Sequence, residues 1–311
     1  MNKAVYAAQF ETVEVRCMSK IVDIIRPILP KKFRDKPVVI PTVRLSGAIM
    51  ASQGMRPTLS IATAAGRLKK AFSVKDAPAV AIVINSPGGS PVQANLIYKR
   101  IRALAEENDK KVIVAVEDVA ASGGYMIALA GDEIIADPSS IVGSIGVISA
   151  GFGYVDLLEK LGVERRVYTA GTNKMILDPF QPEKKSDIQY LRSIQDEIHD
   201  TFVDMVKDRR GDVISGDEKE VFSGRFWTAT TGQSLGLVDR IGDIRSIVKE
   251  RYGEKAQLKV IGAGGGLFKR APSNGVAMPT MSSDLSAIGA GFADHIVSQA
   301  EERALWARYG L

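Results

Sequence analysis

The chain has little of the material from which disulfide frameworks and metal centres are built. Its 311 residues include one cysteine, Cys17, and two histidines, His199 and His295. A single cysteine excludes an internal disulfide framework and a multi-cysteine metal site. Two histidines leave little for a His-based site. Neither lies in a strand-end loop, so both read as surface or packing residues. No apolar run reaches the roughly 18 residues that suggest a membrane-spanning helix, and no secretory signal pattern is visible. The expected compartment is the cytoplasm. A dominant charge is missing as well. The net charge is only +5, and Lys and Arg are scattered, with no basic stripe interleaved with aromatics. Nucleic acid is therefore not an expected partner.

What is present is ordinary globular material, with 45% hydrophobic and 25% charged residues. A chain of this length and make-up buries a large core. Three parts are expected: an N-terminal extension over 1–37, a main α/β domain over 38–261, and a tail over 262–311. In the tail, a linker rich in Gly, Ser, Ala and Pro precedes an amphipathic helix carrying Trp306. In the extension, Met18 opens a better-organised segment and is a candidate start. Ile21, Val22, Ile24, Ile25, Ile28 and Leu29 then fall near helical spacing among Lys20, Arg26, Lys31, Lys32 and Arg34. Two readings stay open. A basic amphipathic helix can rest on anionic lipid at the inner face of the membrane. Alternatively, the segment packs on the body or on a partner subunit, and Pro27 and Pro30 argue for that.

From 38 to 170, strands alternate with helices. Apolar runs at 38–45, 79–84, 111–117, 133–136, 142–149 and 166–169 read as strands. Helical patterns cover 59–72, 91–107 and 155–161, and a longer one covers 183–210. Alternation of this kind implies parallel βαβ units. Strands without polar alternation imply a sheet covered on both faces.

The stretch Asp118-Val-Ala-Ala-Ser122-Gly-Gly-Tyr125 lies at one strand-to-helix junction. Its glycines permit a sharp bend and close approach of another group. A serine at such a bend sits where free N–H groups and the helix dipole favour negative charge. That is the place of an acyl-transfer nucleophile; the alternative is an ordinary N-cap. A second junction, Asn85-Ser-Pro-Gly-Gly89, ends the preceding strand. Its glycine N–H groups are suited to holding an oxyanion, although a plain strand-to-helix turn has the same composition. With neither histidine at a strand end, lysine is the remaining base. Lys174, in Gly171-Thr-Asn-Lys-Met-Ile-Leu-Asp-Pro-Phe180, has apolar neighbours on its C-terminal side. A lysine serves as a base only as the neutral amine, which burial favours; the other reading is a solvated loop lysine.

Taken together, NSPGG at 85–89, AASGGY at 120–125, VGSIGV at 142–147, GTNK and DPF at 171–180, and FSGRFWTATTGQSLGLVDRIG at 222–242 form a specific set. In order and spacing they resemble the signal peptide peptidase A family in its short, single-repeat form. These are serine-lysine peptidases on the ClpP/crotonase-like fold, and the resemblance covers roughly 38–261. It implies Ser122 as nucleophile, Lys174 as general base, Gly89 and Gly123 as oxyanion donors, and Ser144 as a helper that hydrogen-bonds the lysine. The sequence departs from the pattern at Met175, where the family commonly has an acidic residue.

The resemblance implies an endopeptidase acting on peptides or proteins through an acyl-enzyme, with no cofactor and no metal. It also implies a homo-oligomeric ring in which serine and lysine meet across a subunit boundary. An enoyl-CoA hydratase or isomerase on the same fold needs acidic groups near the oxyanion, and AASGGY offers a nucleophile instead. The alternative from another class is a catalytically weak scaffold that forms rings at the membrane surface. If 19–34 is a lipid-facing helix, co-sedimentation with anionic vesicles weakens as salt rises. Equal binding by a shortened chain beginning at Val38 assigns the segment to packing or assembly instead.

Overall fold

The computed structural model describes residues 37–51, 58–262 and 303–311. The extension, His295 and most of the expected tail linker lie outside the described residues.

One sheet organises the body. Its strands are β1 (Val39–Ser46), β2 (Ala79–Ser86), β3 (Lys111–Ala121), β4 (Glu133–Ala136), β5 (Ile141–Gly143), β6 (Phe226–Thr228), β7 (Arg240–Ile241) and β8 (Gln257–Val260). The main order is β6-β5-β3-β2-β1-β8; β4 also pairs with β3, and β7 with β4. Every pairing is parallel except β5 with β6. This is the expected α/β architecture of parallel strands and βα repeats.

The first half of the chain folds where its pattern predicts. Helix α1 (Ile61–Phe72) starts at Ser60, whose side chain accepts from the Thr63 N–H while the Thr63 hydroxyl accepts from the Ser60 N–H, a capping box. Helix α2 (Pro91–Glu107) starts on Ser90 with Pro91 in its first turn, where a missing N–H costs nothing. Both pack on one face of the sheet. Val80, Ile82 and Ile84 of β2 and Val112, Val114 and Val116 of β3 meet Leu68, Phe72, Ile97 and Ile101 there. The intervening Ala79, Ala81 and Ile113 face the other side, under Ile247 and Val248 of a helix over Ile244–Tyr252.

Some strand expectations are corrected. Residues 166–169 form no strand; they are exposed and without a pairing partner. The run at 142–149 yields only the three residues of β5, because Gly143 and Ser144 both turn to positive φ, 95° and 53°. Edge strand β8, a four-residue alternation of polar and apolar residues parallel to β1, lies outside the expected strands.

Between β3 and β4 lies the short helix α3 (Gly123–Ala128), and beyond β5 lie α4 (Val155–Leu161) and α5 (Lys185–Arg210). The last of these is only half anchored. Phe202, Val206 and Arg210 are its buried residues, all in the C-terminal half. At its end the Arg210 guanidinium donates to Asp239 at 2.8 and 3.2 Å and to the Gly236 carbonyl at 2.5 Å. Asp239 in turn accepts the Ile134 N–H, and Tyr125 donates to the Leu237 carbonyl at 2.9 Å. Burial pushes the Tyr125 phenol well above its usual range, keeping it a neutral donor. This cluster ties α5, β4 and α3 together. Arg210→Ala strands the Gly236 carbonyl and removes the partner of the partly exposed Asp239 carboxylate, and urea unfolding should show a loss of about 1–3 kcal/mol.

Candidate active site

The site begins with a fault in sheet register. Ile84 pairs with Val116, but Ser86, two residues on, pairs with Ala120, four residues on. The surplus in β3 forms a bulge, and such bulges re-aim the residues beyond them. Asn85 holds it with both ends of its amide. Its Nδ2 donates to Asp118 at 2.6 Å and its Oδ1 accepts the Val119 N–H at 3.2 Å. The asparagine of the first motif is therefore a brace for the strand that carries the second.

Just past this bulge β3 ends at Ala121 and Ser122 turns sharply, with φ 52° and ψ −123°. A non-glycine residue in this region carries strain of about 1–3 kcal/mol and persists only when its surroundings hold it. Here its N–H donates to the Gly143 carbonyl at 2.8 Å, and its own carbonyl accepts the Met126 N–H at 3.0 Å. Ser122 occupies the N-cap position of α3, but its side chain makes no capping bond. The hydroxyl is left for other use, which weakens the plain N-cap reading.

The Pro87-Gly88-Gly89 turn abuts this elbow. A Cβ on Gly88 would lie 2.8 Å from Ser122 Cβ and 3.0 Å from Gly123 N. Gly89, at φ 134°, would put a Cβ 2.1 Å from the Ile49 carbonyl oxygen. Ile49 donates to the Gly88 carbonyl at 2.8 Å and accepts from the Ser90 N–H at 2.7 Å. The Gly89 N–H between them is not used in that pairing. Gly123 carries the first N–H of α3, which no intrahelical carbonyl can reach. Among the described residues neither N–H has an acceptor. Two unpaired donors thus flank Ser122.

A cavity of about 390 Å³ opens beside Ser122, with Ser144, Gly146, His199, Ser223 and Arg308 on its walls. Ser144 is 4% exposed and is fixed by its N–H donating to the Arg225 carbonyl at 2.7 Å. Arg308 belongs to the C-terminal segment, whose Tyr309 is buried against Val119 and Ala121. Tyr309 also meets Phe226 edge-on at 5.0 Å and donates to the Pro87 carbonyl at 3.3 Å. Among the described residues no cluster of His, Cys, Asp and Glu has a metal-holding arrangement.

Of the residues singled out from sequence, Ser122, Gly89, Gly123 and Ser144 come together. Lys174 does not join them. It is exposed, in a turn closed by its N–H on the Gly171 carbonyl at 3.3 Å, and it is absent from the cavity walls. His199, by contrast, is not a bystander, because it borders the cavity and its Nε2 lies 3.1 Å from the Ile145 carbonyl. Its spacing to Phe202, Val206 and Arg210 is the signal that marks it as part of the inward face of α5.

Residues 105–259 match the model of peptidase family S49. A Brucella abortus (strain 2308) protein named Na(+)/H(+) antiporter NhaA is 59% identical over 93% of this chain and 39% of its own length. Serine protease SPPA, chloroplastic, of Arabidopsis thaliana is 33% identical over 66% of this chain and 31% of its own. Protease 4 of Salmonella typhi is 29% identical over 71% of this chain and 35% of its own. The chain thus spans less than two fifths of the length of each. Among the described residues no helix is long and apolar enough to cross a membrane.

The crowding at Gly89 makes a test of the two-donor arrangement. Gly89→Ala forces the turn off Ile49 and swings one N–H away. Acyl transfer should fall about 100- to 1,000-fold, the range for losing one oxyanion donor, measured as release of a peptide chromophore, while circular dichroism stays native.

Proposed function

We propose, on the premise that the chain belongs to peptidase family S49, that it is a serine endopeptidase with a Ser122–Lys174 dyad. The observation that carries this reading is the Ser122 elbow, a strained backbone with an unbonded hydroxyl between two unpaired N–H groups. Ser122 Oγ loses its proton to a neutral lysine amine as it bonds to the scissile carbonyl carbon. The carbonyl oxygen becomes an oxyanion between the Gly89 and Gly123 N–H groups. As the C–N bond breaks, the lysine proton passes to the departing amine. Water then attacks the acyl-enzyme by the same proton route and releases Ser122. Ser144, on the cavity wall, is the hydroxyl that receives the lysine amine.

The lysine comes from a second copy of the chain. The segment that bears it projects from the body as an arm. Helix α4 has no buried residue, and Phe152 and Tyr168 are 79% and 91% exposed. The arm keeps its own shape: Tyr154 stacks near Phe180 at 5.3 Å, Arg165 lies over Phe180 at 4.6 Å, and Arg165 bridges Asp178. So much apolar surface on one arm marks an interaction site. Head-to-tail contacts of this kind close into rings. Substrates are peptides or unfolded protein segments.

Complementation tests both halves of the proposal. Ser122→Ala should stay folded, because the Ser122 side chain makes no capping bond that the substitution could remove, and should be inactive. Lys174→Ala should be inactive too, and so should Lys174→Arg, because Arg stays charged. Co-expressed, the Ser122→Ala and Lys174→Ala chains should regain up to about a quarter of wild-type hydrolysis, the fraction of adjacent pairs that unite an intact serine with an intact lysine in a random ring. Mixed rings without activity place the dyad within one chain. An active Ser122→Ala protein removes the peptidase reading and leaves a scaffold.

A further inference from the structure

The assigned chemistry leaves His199 unused, yet it stands at a mechanical junction. On one side of it, α5 is buried through Phe202, Val206 and Arg210. On the other, from Lys185 to Ile198, no residue of the helix is buried. His199 is the point at which the helix leaves the body and becomes the base of the arm that carries Lys174. Its ring there meets the segment that holds the nucleophile. Gly143 accepts the Ser122 N–H, Ser144 lines the cavity at φ 53°, and Ile145 presents its carbonyl to His199 Nε2 at 3.1 Å. Ser144, a non-glycine residue at φ 53° directly after the Gly143 turn, makes this a strained segment that needs outside support. Support comes from the Arg225 carbonyl, which accepts the Ser144 N–H, and from His199.

We propose that His199 is a positioning residue: through an Nε2–H bond to the Ile145 carbonyl it locks the arm to the segment that orients Ser122 and Ser144. This inference rests on the peptidase reading for its consequence in turnover, and on geometry alone for the bond. A carbonyl only accepts, so the neutral ring must be the Nε2–H tautomer; the imidazolium keeps the same donor. Nδ1 is then left as an acceptor. The charged groups on the walls of the same cavity are Asp196, one turn back on α5, and Arg308 of the C-terminal segment; the other polar groups are Gln195 and the hydroxyls of Ser122, Ser144 and Ser223. His199 moves no proton of the reaction in this account. It sets where the catalytic hydroxyls stand, and displacements of about 1 Å at such sites cost up to about a hundredfold in rate.

The test compares three substitutions in the full chain. Glutamine places an amide N–H near the position of Nε2, whereas leucine fills the space without a donor. The probe is an internally quenched peptide that wild type cleaves and Ser122→Ala does not. His199→Gln should keep kcat within about twofold of wild type, with the same pH profile. His199→Leu should lower kcat about ten- to hundredfold, with KM little changed. If the leucine variant fails to fold, His199→Asn, whose amide stops short of Ile145, takes its place with the same expected loss. Equal loss in the glutamine and leucine variants, with the acid limb of the profile altered, overturns the proposal in favour of proton transfer by the ring. Full activity in both also overturns it. Nitrogen NMR of the two histidines, with His199→Gln identifying the second signal, needs no turnover. A neutral His199 found as the Nδ1–H tautomer overturns the proposal even if no peptide is cleaved, while failure of every peptide with the Nε2–H tautomer present counts against the peptidase reading alone.

Discussion

The hydrogen bond from the Ser122 N–H to the Gly143 carbonyl is the contact on which the site depends. It joins the end of β3 to the end of β5 at a place where both strands turn to positive φ. A left-handed serine is unfavourable on its own, by an amount comparable with one or two hydrogen bonds. The surrounding structure offsets that cost. The β3 bulge braced by Asn85 lifts the elbow, and Gly88 leaves room for it. In the proposed mechanism the strain has a function, since a relaxed N-cap would turn the hydroxyl to the helix N–H groups and away from the space between Gly89 and Gly123.

A second constraint is the uneven anchoring of α5. Its C-terminal half is held by Phe202, Val206 and the Arg210–Asp239 pair, whereas its N-terminal half has no buried residue. The arm that follows β5 is folded locally, through Tyr154, Arg165, Asp178 and Phe180, yet it lacks a core. Exposed apolar surface on this scale marks an interaction site. The two features complement each other. In the proposed assembly a second copy would satisfy both the cavity that is open in one chain and the arm that finds no wall to pack on.

The C-terminal segment adds a third support from far away in sequence. Tyr309 fills the space beneath Val119 and Ala121 and reaches the Pro87 carbonyl. It thereby backs both the elbow strand and the donor turn, while Arg308 faces the cavity. The site is thus held by four separate parts of the chain: the 85–89 turn, the β3–α3 elbow, the 143–145 segment and the tail.

Much of this was legible in the residues. The apolar runs of β1 to β4, the capping signals of α1 and α2, and the small-residue junctions at Gly89 and Ser122 are local. A run of Val and Ile limits its own backbone and a Gly-Gly pair permits a sharp bend whatever surrounds it, so the sequence by itself determined the parallel α/β core and the two small-residue junctions. Other features were not legible there. Residues 166–169 look like a strand but pair with no strand among the described residues, whereas the short alternating run of β8 pairs with β1, because strand formation needs a partner whose edge is free. His199 read as a packing residue until α5 was seen to leave the body at that turn, and Asn85 read as part of a turn until the bulge gave its amide two partners. Ser144 beside Ser122, Arg308 on the same wall and Lys174 outside it are facts of tertiary structure. Side-chain neighbours from segments tens of residues apart are set by how helices and strands pack, and that packing is carried by no local pattern.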